Sequence, residues 1–168
     1  PQAFHVIAMD TVAYVAAGWG GWILVDIRDM ADISAMSTWT YGGTPVLVTQ
    51  SAVVDTNGFL ACGEQGLFIP VDVSDPYDPF GPGYLPLNSD GFAGAIAVEG
   101  DTAYVADGPN GHLVLSVASG FEPRIIYTIP TAGFSKDALI DGSTLFALSG
   151  STGVQSFNVN IANPPDLD

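Results

Sequence analysis

Four ten-residue stretches decide the fold: AYVAAGWGGW (13–22), GFLACGEQGL (58–67), AYVADGPNGH (103–112) and LFALSGSTGV (145–154). They align without gaps. One aromatic recurs as Tyr14, Phe59, Tyr104 and Phe146, and a glycine pair recurs as Gly18/Gly21, Gly63/Gly66, Gly108/Gly111 and Gly150/Gly153. The aromatics are spaced 45, 45 and 42 residues apart. That period suits a four-stranded propeller blade.

The flanking sequence completes each repeat. A strand around Phe4–Met9 runs into a polar turn at Asp10–Thr11, with counterparts at Asp55–Asn57, Gly100–Thr102 and Gly142–Thr144. These turns suit hairpins. The aromatic strand follows, and the G-x-x-G element then reverses the chain. Third strands read WILVDI (22–27), LFIPVDV (67–73), HLVLSV (112–117) and VQSFNV (154–159). The second copy carries one extra residue near Pro70, and proline cannot donate to a ladder, which predicts a bulge there. Outer strands are expected at Ile33–Thr40, Tyr84–Leu87 and Arg124–Pro130. In the first three copies the third strand is apolar on both alternating faces. A sheet of that kind needs neighbours on both sides, and radial stacking supplies them.

The expected fold is therefore all-β: four propeller blades of about 42–46 residues, near 1–44, 45–91, 92–133 and 134–168. The fourth ends without an outer strand, and no spare N-terminal strand replaces it. This predicts part of a larger propeller, completed by further blades of a parent chain or by a second copy. A complete four-bladed ring is the alternative. A start at Pro1 fits a processed or excised polypeptide.

Lys and Arg total 3 against 18 Asp and Glu, a formal charge of −15. Such a surface repels nucleic acid and anionic lipid, and it attracts cations or a basic partner. The acids are spread over many turns, so solubility is the simpler role. No apolar stretch is long enough to cross a bilayer as a helix. Cys62 is the one cysteine, at a position where the other copies have Ala17, Asp107 and Ser149, and it reads as a small packing residue.

Candidate sites follow from the repeat. Nine residues before each aromatic lie His5, Gln50, Ala95 and Asp137, and one residue earlier lie Phe4, Thr49, Gly94 and Lys136. These should rim the central opening, where His5, Gln50, Lys136 and Asp137 would form a polar ligand pocket. Ordinary solvated channel-mouth residues are the competing reading. His112 is expected to be a half-buried strand residue. Asp72, Asp75 and Asp78 could offer hard oxygen ligands to calcium, although turn capping explains them better. No other cofactor is indicated. Trp19 sits in a turn where other copies have Glu64, Pro109 and Ser151, and with Trp22 it is a candidate protein interface. No nucleophile elbow is present, and GWGG (18–21) lacks the lysine and helix of a phosphate loop.

LFIPVDVSDPYDP (67–79) preceded by GEQG (63–66), WILVDIRD (22–29) and AYVADGPNG (103–111) resemble the LVIVD repeat of bacterial and archaeal cell-surface proteins. FNVNIANPP (157–165) keeps the layout but lacks the aspartate. The resemblance implies a β-propeller in an exported, cell-surface or periplasmic protein and no particular activity. Two functions are carried forward. One is a non-catalytic binding or structural module completed by a protein partner or further copies. The other is a hydrolase or lactonase using the axial pocket, with a metal.

Overall fold

Positive backbone angles fall at equivalent turns of all four repeats: Asp10 (φ 54°), Asp55 (φ 53°), Gly100 (φ 54°) and Gly142 (φ 56°). Each turn joins the two inner strands of a sheet. In the computed structural model, which describes residues 2–87 and 91–159 (Ser151 by its backbone alone), four antiparallel sheets follow one another along the chain.

Blade one contains β1 (His5–Met9), β2 (Val12–Ala16), β3 (Trp22–Asp26) and β4 (Ser34–Trp39). Blade two contains β5 (Gln50–Val54), β6 (Asn57–Ala61), β7 (Leu67–Asp72) and β8 (Leu85–Pro86). Blade three contains β9 (Ile96–Glu99), β10 (Thr102–Ala106), β11 (His112–Ser116) and β12 (Arg124–Ile129). Blade four contains β13 (Ser135–Asp141), β14 (Thr144–Ser149) and β15 (Gly153–Asn158), with a short 3-10 turn at Gly150–Thr152. Every sheet is a simple meander. The predicted absence of an outer strand in blade four concerns residues 160–168, which lie outside the described residues, as does Pro1.

Three apolar cores lie between successive blades. Tyr14, Trp22 and Leu24 of blade one meet Val48, Leu60 and Ile69 of blade two. Phe59, Ala61 and Phe68 of blade two meet Ile96, Val105 and Leu113 of blade three. Tyr104, Val114 and Ile129 meet Ala138 and Leu145 of blade four. Each blade thus presents a front face carrying the repeat aromatic and a rear face carrying the alternate residues. Both faces are buried in blades two and three, which is why the central residues of β7 (Phe68–Val71) and β11 (Leu113–Leu115) are apolar on both sides. Full burial of a side chain such as Leu24 or Leu115 contributes about 1.5–3 kcal/mol.

Main-chain pairs also clasp each blade to the next. Gly18 exchanges bonds with Val48 (3.0 and 3.1 Å), and Gly63 exchanges bonds with Ala93 (2.8 and 3.0 Å). Ser135 N–H donates to the Gly108 carbonyl at 2.7 Å. Glycine is needed at Gly18, Gly63 and Gly108 because φ is positive there, between 45° and 57°.

Two local expectations are corrected. No bulge occurs at Pro70, which pairs with Phe59 in an unbroken β6–β7 register. The extra residue is Leu67, absorbed at the turn, where Cys62 N–H reaches Leu67 instead of the residue before it. Pro70 faces the outer side, between the pair Phe68–Leu85 and the bridge Asp72–Phe80. No donor is required where outer pairing is interrupted. The ladder shifts instead occur in β3–β4, β11–β12 and at Lys136 in β13. Second, His112 is fully buried, not half-buried, because blades three and four close over it.

Candidate functional site

The inner strands β1, β5, β9 and β13 line an axial cleft of 690 Å³. Its walls are mainly apolar, including Ile7, Val53, Ile96 and Leu139, and His5, Gln50 and Asp137 stand along it. These three occupy the same repeat position, the start of the inner strand. The equal twist of successive blades therefore brings them to one end of the axis.

Gln50 organises this end. Its Nε2 donates to Asp137 Oδ1 at 3.4 Å, and its Oε1 accepts the Ile96 N–H. Asp137 Oδ1 also accepts the Ala138 N–H at 2.9 Å. Burial pushes the His5 imidazole below the usual histidine value, and the Asp137 charge opposes that shift. His5 Nδ1 is buried without a partner among the described residues. His112 Nε2 lies 3.0 Å from the Asp137 carbonyl and donates to it, which leaves Nδ1 unprotonated in the neutral ring.

Lys136 does not join this group. It is the unpaired residue of the β13 shift, between Ser135, opposite Ser149, and Asp137, opposite Leu148. An extra residue in a ladder is turned away from its neighbours' face, so Lys136 is exposed outside the cleft. Thr49, one position before Gln50, is a structural knot. Its hydroxyl lies 3.0–3.3 Å from the carbonyls of Ala61, Ala93 and Gly94 and accepts the Gly63 N–H at 3.2 Å.

The two tryptophans separate. Trp19 is 61% exposed at the β2–β3 turn. Trp22 is wholly buried, stacked on Tyr14 with centroids 5.2 Å apart, and its Nε1 donates to Ser51 Oγ at 3.0 Å. The expectation that Trp22 belongs to an exposed interface is corrected: it is a core residue between blades one and two.

Of the aspartates considered for calcium, Asp72 and Asp75 serve turns, and Asp78 lines a groove beside β4. Asp72 Oδ1 accepts the Ser74 N–H at 2.8 Å, and Asp75 Oδ1 accepts the Tyr77 N–H at 2.9 Å. Among the described residues no three His, Cys, Asp or Glu side chains are grouped to hold a metal ion. Sequence reasoning overlooked Asp107, a buried aspartate that accepts Phe92 N–H at 2.8 Å and Asn110 Nδ2 at 3.3 Å. Its signal was present, since it is the only acid at the Ala17/Cys62/Ser149 position. A second groove, of 360 Å³, lies between β4 and the Asp-Pro loop and is lined by Trp39, Tyr77, Asp78 and Phe80.

The LVIVD repeat family model matches residues 3–40 and 90–118, which cover the four strands of blade one and the first three of blade three. Those two segments are LVIVD repeats. No curated protein matches it in sequence. Among solved structures, the chain is similar to the computationally designed Ika4 protein, at 9% identity and a TM-score of 0.74, over 94% of this chain and 91% of that one. It is similar to the designed Ika8 protein at 9% identity and a TM-score of 0.72, over 95% of this chain and 46% of that one. Kuenenia stuttgartiensis hydrazine synthase matches at 20% identity and a TM-score of 0.72, over 96% of this chain and 47% of that one. The chain thus spans about half the length of the latter two. At these identities the likeness establishes the β-propeller fold.

Proposed function

We propose that this LVIVD-repeat chain is a non-catalytic propeller module that binds protein partners in an extracellular, cell-surface or periplasmic assembly. The observation that carries the reading is Trp19. Its indole is exposed on a turn whose neighbouring glycine is fixed to blade two, so a large apolar surface is held out at low entropic cost. The strongly acidic chain favours a partner whose contact surface is basic. Resemblance to cell-surface repeats supports the location. No cofactor, nucleic acid or membrane insertion enters this reading.

The test places a photo-crosslinking amino acid at Trp19 and, as a control, at exposed Asp29 on intact cells of the source organism. A protein joined through position 19 and not position 29, on cells never permeabilised, is the expected result. Crosslinks confined to lysed cells overturn the location, and equal labelling at both positions overturns the Trp19 contact.

A second reading rests on the convergence of His5, Gln50 and Asp137 in the axial cleft. It makes the chain a hydrolase or lactonase. Turnover of an ester or lactone panel, with and without divalent metal, that Asp137→Asn abolishes would replace the first reading.

A further inference from the structure

The three inter-blade cores are copies of one interface, and the chain holds a fourth copy of each half left open. The front face of blade four carries Phe146, Leu148 and Val154, at the positions of Tyr14, Ala16 and Trp22 in blade one. Those blade-one residues are buried by blade two. In blade four the same face is open, with Leu139 63% and Val154 65% exposed, and it lines a shallow apolar depression of 340 Å³. At the other end, the rear face of blade one carries Val6, Ala13, Val15, Ile23 and Val25. Val15 and Ile23 are repeat equivalents of Leu60 and Ile69, which are completely buried against blade one's front. Val6 is 60% exposed, and its strand partner Val15 is half-buried. The two open faces do not cover each other within the chain, so the four blades form an arc.

We propose that a second copy of this chain docks head to tail, the front of blade four of one copy seating on the rear of blade one of the other. This deepens the assembly reading above and rests on it. Continuity with an established interface selects the occupant: the chain already pairs such a front with such a rear three times, and a second copy brings both halves. A second junction between the same two molecules closes the pair. The match of almost the whole arc to about half of two longer propeller chains is consistent with that closure. The clasp has a waiting position as well. Ala3 stands where blades two, three and four carry Val48, Ala93 and Ser135, and it is exposed. Gly150 differs from its equivalents in donating its N–H to Phe134 of its own blade, so this junction depends more on side chains than the other three.

The test is sedimentation of the purified 168-residue chain and two blocked variants. Front-blocked protein carries Leu148→Lys and Val154→Lys, and rear-blocked protein carries Val6→Lys and Val15→Lys. The unmodified chain is expected to form a species of twice 17.4 kDa. Its association should strengthen with salt, because each copy carries a charge of −15. Each blocked variant alone is expected to stay monomeric, while an equal mixture associates, because one intact front remains to meet one intact rear. Near-ultraviolet circular dichroism checks that the variants keep native packing. A second probe, Val15→Cys with Leu148→Cys, should give a disulfide between molecules.

A monomeric unmodified chain overturns the proposal. So does a rear-blocked variant that still dimerises, which indicates a front-to-front contact, and so does a disulfide that joins the two introduced thiols within one molecule. Assemblies larger than two overturn the two-copy closure. None of these results touches partner capture through Trp19, which lies at a turn and on neither face.

Discussion

The indole of Trp22, carried by blade one, fills the space above Gly58 of blade two: a β-carbon on Gly58 would lie 2.4 Å from Trp22 Cη2. Other blades place Ala13, Ala103 and Leu145 at this position. Glycine is present in blade two because its neighbour contributes the largest side chain in the core.

Gly58→Ala should therefore destabilise the fold by overpacking, at about 1–3 kcal/mol. Urea unfolding followed by tryptophan fluorescence measures it. Trp22→Leu should be costly alone, yet the two losses combined should fall short of their sum, because the smaller side chain makes room for the methyl group. Full additivity would show that the two residues do not compete for the same space.

Ser51→Ala leaves the buried Trp22 Nε1 without its acceptor. The expected loss is about 1–3 kcal/mol, the penalty of an unsatisfied buried donor. The same urea experiment reads it, and a change within error would mean that another acceptor replaces the Ser51 hydroxyl.

Burial holds the His112 imidazole below the ordinary value of 6.5, while contact with the Asp137 carbonyl and charge opposes the shift. The unfolded chain consequently takes up this proton first as pH falls. The contribution of neutral His112 is intact above 6.5 and is lost as pH drops from there toward the lowered native value. Compared with the unmodified chain, His112→Gln should lose less stability between pH 8 and pH 5. His5 is shifted the same way, so His5→Gln should remove a further part of the dependence. Parallel stability–pH curves for the unmodified chain and His112→Gln would refute the assignment.

The Cys62 thiol is buried, and that burial raises its pKa to about 12. Native protein at pH 8 should leave an aromatic disulfide reagent unreacted, while urea-unfolded protein should release one equivalent. Labelling should follow the unfolding rate. Rapid reaction of the folded chain would show that the turn beside Cys62 opens locally.

Much of this architecture was legible because the deciding signals are local. The positive-φ turns at Asp10, Asp55, Gly100 and Gly142 and the G-x-x-G reversals repeat in register. Outer strands at Ser34–Trp39 and Arg124–Ile129 fall within their expected ranges. The convergence of His5, Gln50 and Asp137 likewise followed from equal repeat positions. What escaped depends on pairing between elements. Pro70 looked like a bulge, but the added residue is accommodated one turn earlier at Leu67. Lys136 was aligned by counting, and a shift in the ladder moved it out of the cleft. Trp22 could not be distinguished from Trp19 as a surface residue until blade two was set against it. Asp107 stood out as an acid among small residues, but its role depends on Phe92, fifteen residues away.

The clasps joining Gly18 to Val48, Gly63 to Ala93 and Gly108 to Ser135 are main-chain pairs, the middle one reinforced by the Thr49 hydroxyl. The residues just beyond those glycines, Trp19, Glu64 and Pro109, therefore contribute no bond to the clasps. They are free to drift. A lineage can exchange an indole for an acid or a ring at that spot and change what the scaffold recognises, while the skeleton beneath keeps its registration.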